Sequence, residues 1–211
     1  MSDDPSDPAV TRSHIYLVRH GETEWSLSGR HTGRTDLPLT ETGEAPARAA
    51  GRVLAGHEFG VVFTSPRQRA RRTAELAGFG DRAQVLDDLS EWDYGAYEGL
   101  LKPEIERLHG GPWSIWEDGA MKDDEGRGEV AADVQARARA VIERVRPALV
   151  AGKDALVFSH GHFLRSLAVT WLGVPIQSGE RIALDTASLS ILGFEHGRHV
   201  LRLWNRTPYT E

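Results

Sequence analysis

The stretch Leu17-Val18-Arg19-His20-Gly21 constrains this chain more than any other. His14 to Val18 is a short run of apolar, β-branched and aromatic residues, which reads as a buried strand. It stops at a cation, an imidazole and a glycine. A strand interior needs none of these, whereas a glycine lets the backbone turn sharply or approach a ligand closely. Two further apolar runs end in a similar way. Val61 to Phe63 leads into Thr64-Ser65-Pro66 and then Arg67, Arg69, Arg71 and Arg72, and Ala155 to Phe158 leads into Ser159-His160-Gly161. In open α/β sheets ligands sit beyond the carboxyl ends of the strands. If these three strands are parallel, their His and Arg residues converge on one anion-binding pocket.

The intervening sequence supplies helices. Thr40 reads as an N-cap with Glu41 and Glu44 in the first turn of a helix that runs to about Leu54 and stops at Gly56, although Pro46 fits poorly there. A second helix starts at Pro66 and ends near Gly78. Gln84 to Leu86 reads as an edge strand, Lys102 to Leu108 as a short helix, Glu129 to Leu149 as a long Ala-rich helix, and His162 to Leu172 as a helix ended by Gly173. Ser188 to Phe194 and Val200 to Trp204 form a hairpin with Gly197 in its turn. Glu22 to Pro38 reads as a long polar loop, and Gly110 to Gly128 as an irregular, lid-like stretch. This order predicts an α/β fold, a three-layer α/β/α sandwich whose mostly parallel sheet has an antiparallel edge. Residues 1–12 are expected to be a disordered tail, 13–206 a single domain, and 207–211 a short C-terminal tail.

The 211 residues suffice for one sizeable core. A net charge of -6 argues against a general nucleic-acid binder, so any positive field must be local. With no cysteine there is no disulfide, thiolate metal site or Cys nucleophile. No apolar stretch approaches the ~20 residues that cross a bilayer, and the N-terminus lacks a signal-peptide pattern. The expectation is a cytoplasmic protein without nucleic-acid or membrane partners, with a homodimer left open. No His, Asp or Glu spacing suggests a metal site, and no cofactor is expected.

Two histidines, two or more arginines and a glutamate suit phosphoryl transfer. Guanidinium forks bind phosphoryl oxygens bidentately. A neutral His20 offers a ring nitrogen as nucleophile to phosphorus, and Arg19, Arg69 and a charged His160 would lower its pKa. Glu91 can give a proton to the departing oxygen and then take one from water. Gly161 and the helix start after it add backbone N–H donors.

At this point the sequence resembles the histidine phosphatase superfamily, in the branch related to cofactor-dependent phosphoglycerate mutase. The resemblance rests on Arg19-His20-Gly21-Glu22-Thr23, Thr32-Gly33, Asp36-Leu37-Pro38-Leu39-Thr40 and Gly43, followed in order by Ser65-Pro66, Arg69-Ala70, Thr73-Ala74, Glu91, Tyr94-Gly95, Glu98-Gly99, Gly128-Glu129 and His160-Gly161. It implies His20 as the phosphohistidine nucleophile, Arg19, Arg69 and His160 as phosphate and transition-state binders, and Glu91 as proton donor. Thr32, Gly33 and Tyr94 would shape the substrate pocket, Ser26 could donate a hydrogen bond there, and His162 could line it beside His160. Ser26 and Val130 depart from the Asn and Ser usual in mutase-like members. The interval from Glu91 to Gly128 is also shorter than the mutase insertion that shields a phosphohistidine from water. The implied activity is therefore a metal-independent phosphatase acting on small phosphorylated metabolites such as sugar phosphates, most similar to the acid phosphatases and sugar bisphosphatases of that branch. The alternatives are a phosphoglycerate mutase and a catalytically silent phospholigand-binding protein. Trp92, Trp113, Trp116 and Trp171 are expected in packing, Arg67, Arg71 and Arg72 on a solvated or paired helix face, and His31, His57, His109, His196 and His199 outside any site.

Overall fold

Side-chain alternation in the strands decides the layering. Ile15, Leu17, Phe63, Ala155 and Val157 pack in one buried cluster, while Val18, Phe59, Val62, Leu156 and Phe158 pack in another. Successive side chains of a strand point to opposite faces, so these sets are the two faces of one sheet. The computed structural model describes residues 13–207. It runs through β1 (Ile15–Arg19), α1 (Glu24–Ser28), α2 (Glu41–Leu54), β2 (Phe59–Thr64), α3 (Gln68–Leu76), β3 (Gln84–Val85), α4 (Lys102–His109), α5 (Ala131–Val150), β4 (Asp154–Ser159), α6 (Gly161–Leu172), β5 (Leu189–Glu195) and β6 (Arg198–Arg206).

The strand order is β3-β2-β4-β1-β5-β6. β3, β2, β4 and β1 pair in parallel, whereas β5 is antiparallel to β1 and β6 to β5. The first face is covered by α5 and α6 through Val134, Val141, Phe163 and Leu167. The second is covered by α2 and α3 through Ala50, Leu54 and Ala74, with Ala77 just past the end of α3. The three-layer sandwich with an antiparallel edge is thus the observed architecture. Each fully buried Val, Leu or Phe in these layers stabilises the fold by ~1.5–3 kcal/mol.

Several local features differ from the sequence expectation. The segment from Glu22 to Pro38 contains α1, closed by a reciprocal cap in which Ser26 N donates to Thr23 Oγ1 at 3.2 Å and Thr23 N to Ser26 Oγ at 2.8 Å. A five-residue helix with no buried residue leaves no apolar periodicity to read. Pro46 lies inside α2 and is itself buried, so packing outweighs the hydrogen bond it cannot make. Helix α3 starts at Gln68, leaving Pro66 just outside it. Trp113 and Trp116 are buried members of the main core rather than parts of a loose cover, so the irregular stretch is anchored there. Among the described residues no helix is long and apolar enough to cross a membrane. The tail expected over 1–12 lies outside the described residues, as do 208–211.

The turn after β1 is unusually tight. A Cβ on Gly21 would stand 2.5 Å from the Gly43 carbonyl oxygen, so only glycine lets this turn lie against the first turn of α2. The Gly21 N–H donates to Thr73 Oγ1 at 3.0 Å, which joins the turn to α3 as well.

Candidate active site

Parallel register places the chemistry at one level. Arg19 in β1 pairs with Ser159 in β4, so His20 and His160 follow at the same height, and His20 N donates to the Ser159 carbonyl at 2.9 Å. Thr64 in β2 pairs with Phe158, which brings Ser65 to the same edge. The two imidazoles lie 5.1 Å apart between ring centres, inclined at 62°. The convergence expected of three strand ends is therefore present.

His20 is buried, and its Nδ1 lies 2.7 Å from the Gly21 carbonyl oxygen. A carbonyl can only accept, so Nδ1 carries the proton and Nε2 holds the free lone pair. Burial pushes the His20 pKa well below its usual value, and the Arg69 and Arg19 cations push it further the same way. The imidazole is accordingly neutral, and His20 lines the pocket described below. Arg19 donates through one terminal nitrogen to the Leu184 carbonyl at 2.5 Å, while its Nε is buried without a partner. A buried, unpaired guanidinium donor beside a pocket is costly unless an acceptor reaches it.

His160 is fully buried and also neutral, because burial first and Arg69 second push its pKa well down. The expectation of a charged His160 is corrected on that ground. Arg69 Nε donates to His160 Nδ1 at 3.2 Å, so the single proton of this ring sits on Nε2 and points to Ser65 Oγ at 2.7 Å. The other nitrogens of Arg69 donate to the carbonyls of Thr35 at 2.8 Å, Thr32 at 3.1 Å and Gly33 at 3.0 Å. Of the five N–H groups of a guanidinium, one is left over. Arg69 thus ties the 32–35 loop to His160 instead of presenting an open fork. Glu98 holds the same loop, accepting from Gly33 N at 3.0 Å and Thr35 N at 2.9 Å. Gly33 packs so closely that a Cβ would stand 2.5 Å from the Trp92 carbonyl oxygen.

Glu91 sits at the N-terminus of α6, where His160 as N-cap makes no side-chain cap. Its carboxylate takes over that task. Oε1 accepts from Trp92 N at 2.9 Å and Phe163 N at 2.8 Å, and Oε2 accepts from His162 N at 3.0 Å. Oε2 takes a single N–H, and Glu91 lines the cavity described below. Arg137 from α5 fastens the backbone around it, donating to the carbonyls of Asp88 and Ser90 at 2.8 Å and of Glu91 at 3.3 Å. Its remaining N–H groups reach Glu129, whose Oε2 also accepts from Asp93 N at 2.9 Å.

A cavity of about 190 Å³ opens over His20 and is walled by Arg19, Glu91, Tyr94, Gly161 and Thr32, among others. His162 and Ser26 also line it, whereas Arg69, His160 and Gly33 lie behind the wall. Ser26 Oγ donates to the Thr23 carbonyl at 2.9 Å, so its proton is committed to the cap of α1. Sequence reasoning set aside His31 and did not single out Arg30 or Arg165, yet the structure brings all three here. His31, Arg30 and Arg165 all line the cavity. Only the position of Arg30 and His31 just before Thr32-Gly33 hinted at this. Arg67 likewise departs from a simple solvated face, since its Nε is buried without a partner. Arg137 carried no signal, being one of several arginines on α5.

The model for the histidine phosphatase superfamily (branch 1) matches residues 15–207. The chain belongs to this family. An acid phosphatase of Mycobacterium tuberculosis is 40% identical over 204 residues, covering 96% of this chain and 97% of its own length. A sedoheptulose 1,7-bisphosphatase of Saccharomyces cerevisiae is 40% identical over 198 residues, covering 81% of this chain and 71% of that protein. Among solved structures, the product of a Mycobacterium tuberculosis open reading frame superposes with a TM-score of 0.85 at 40% identity, covering 93% of this chain and 99% of that one.

Proposed function

We propose that this histidine phosphatase hydrolyses small phosphate monoesters, sugar phosphates or similar metabolites, through a phosphohistidine at His20. The observation that carries the reading is the pairing of a neutral His20, its Nε2 lone pair without a partner among the described residues, with Arg19, which lines the same cavity and keeps terminal N–H groups beyond the one given to Leu184. A phosphoryl group set against Nε2 would accept from those terminal N–H groups of Arg19. The relatives at 40% identity bear phosphatase names and support hydrolysis as the outcome.

In this reading Nε2 of His20 attacks phosphorus, forming the N–P bond as the bond to the leaving oxygen breaks. Arg19 holds the phosphoryl oxygens, Arg69 acts from behind the wall by fixing His160 and the 32–35 loop, and Gly161 at the first turn of α6 adds the positive end of a helix. Glu91, protonated at Oε2, gives its proton to the leaving alcohol oxygen. Water then attacks phosphorus, Glu91 takes a proton from it, and inorganic phosphate leaves a neutral His20. His160, fixed between Arg69 and Ser65, contributes through the Ser65 hydroxyl, whose own proton is free to point into the site. Tyr94 and Thr32 shape the pocket wall.

Incubation with a phosphate ester, rapid acid-free quenching and mass spectrometry should find phosphate on His20 of the wild type and none in His20→Ala. A His20→Ala enzyme with near-normal phosphate release would overturn the covalent mechanism. The mutase alternative predicts interconversion of phosphoglycerates faster than release of phosphate, and the same samples measure both.

A further inference from the structure

The cavity over His20 is also lined by two imidazoles with no role in the chemistry above. His31 and His162 stack with ring centres 6.1 Å apart and planes inclined by only 11°. The Nδ1 of each is committed, and in opposite senses. His31 Nδ1 lies 3.0 Å from the Leu100 carbonyl oxygen, so it must carry the proton, and its Nε2 is a bare acceptor. His162 Nδ1 lies 2.7 Å from the Tyr94 hydroxyl, which has no other partner among the described residues. That hydroxyl holds its proton firmly, since burial and the neighbouring Glu91 and Glu98 carboxylates push its pKa well up. With no other acceptor among the described residues it donates to His162, leaving the proton of a neutral His162 on Nε2. Burial, with Arg165 in second place, pushes the His162 pKa well below its usual value, and burial lowers that of His31. Neither Nε2 has a partner among the described residues, and neither is sealed off as a buried unpaired atom.

We propose that His31 and His162 form a hydroxyl-recognition subsite, in which His31 Nε2 accepts from, and His162 Nε2–H donates to, hydroxyls on the leaving alcohol. This rests on the phosphatase reading and specifies its substrate class as polyhydroxylated phosphate esters. A hydroxyl offers both a donor and an acceptor, so neighbouring hydroxyls satisfy both members of such a pair. A second anion placed at His31 Nε2 would meet its lone pair. Arg30 and Arg165 line the same cavity. Arg30 donates to the Gly99 carbonyl at 2.7 Å and lies 3.5 Å from Glu104, while Arg165 donates to the Gly179 carbonyl at 2.7 Å and stacks over Trp116, so each keeps further N–H groups, and an anion on the leaving group is the competing occupant that the carboxylate ester tests.

The test compares kcat/KM for sorbitol 6-phosphate, hexyl phosphate and 6-(phosphonooxy)hexanoate, three esters of matched chain length that differ in hydroxyls and charge. Wild type should prefer the sorbitol ester to the hexyl ester. His31→Asn keeps a donor near the Nδ1 position for Leu100, and His162→Asn keeps an acceptor there for Tyr94, but each removes the atom at Nε2. Each should lower the sorbitol-to-hexyl ratio by roughly tenfold, the loss expected for one hydrogen bond in a desolvated pocket. Gln at either position returns an amide near Nε2 and should recover part of that ratio, which a purely structural role would not predict. Equal slowing of both esters in the Asn variants, no wild-type preference for sorbitol 6-phosphate, or faster turnover of the carboxylate ester would overturn the subsite while leaving phosphorylation of His20 intact. Absence of phosphohistidine with every ester would overturn the underlying phosphatase reading instead.

Discussion

Replacing Arg69 with Lys separates two roles that a guanidinium combines. The side chain is fully buried and donates to four acceptors, the carbonyls of Thr32, Gly33 and Thr35 and the Nδ1 of His160. An ammonium keeps the charge but has three donors radiating from one atom, so at least one acceptor loses its partner. An acceptor left unsatisfied in the interior costs about 1–3 kcal/mol. For a chain of this size that corresponds to a fall in Tm of roughly 2–12 °C. Catalysis should suffer more than stability. Arg69 Nε decides which ring nitrogen of His160 carries the proton, and the Thr32–Thr35 loop that it ties down forms part of the cavity wall. Loss of one preorganised donor in a comparable oxyanion site costs ~100- to 1,000-fold in rate. Thermal unfolding followed by tryptophan fluorescence gives the first quantity, and kcat/KM for p-nitrophenyl phosphate gives the second. Arg71→Lys, on the exposed side of the same helix, is the control. An Arg69→Lys protein melting within a degree of wild type and working within a few-fold of it would refute both the hydrogen-bond assignment and its catalytic consequence.

Glu91→Gln should slow single-turnover phosphorylation by a sugar phosphate far more than by p-nitrophenyl phosphate, since only the alkoxide needs a proton and general acids contribute ~100- to 10,000-fold; equal slowing would remove Glu91 as the acid. Because the pKa of His20 lies below its usual value, the nucleophile stays neutral on acidification, and a pH profile of kcat/KM should show no loss assignable to His20 between pH 8 and about 6.5. An acid limb starting above pH 7 that vanishes with a change of His20 would contradict this. Stability follows the same sign. His20, His160 and His162 all have lowered folded pKa values, so the unfolded chain binds more protons below about pH 6.5. Their contribution is full above that pH and is lost as pH falls towards the folded values, which urea titrations at pH 7.5 and 5.5 would measure as a lower midpoint in acid. EDTA should leave turnover unchanged, since no three His, Asp or Glu side chains gather in metal-binding geometry among the described residues; activity lost to chelation and restored by a divalent ion would refute this.

Much of this protein is legible in local sequence because its signals are local. Apolar runs ending in Arg19-His20-Gly21 and Ser159-His160-Gly161 mark strand ends by composition alone, and alternation with helices implies a parallel sheet. The family resemblance carried Glu91 and Arg69 along with the histidines. What the sequence could not decide is anything set by which atom faces which. The proton positions on His20, His31, His160 and His162 follow from partners at Gly21, Leu100, Arg69 and Tyr94, three of them far along the chain. The neutrality of His160 is a burial effect, and burial exists only once α3, β2 and β4 have closed around it. Arg69 reads as an open fork until the carbonyls of Thr32, Gly33 and Thr35 are seen to occupy it. Arg137 is indistinguishable on α5 until the 88–91 backbone comes within its reach. Residue types determine what chemistry is available, but hydrogen-bond partners and desolvation are properties of three-dimensional neighbours, and only the tertiary structure supplies those.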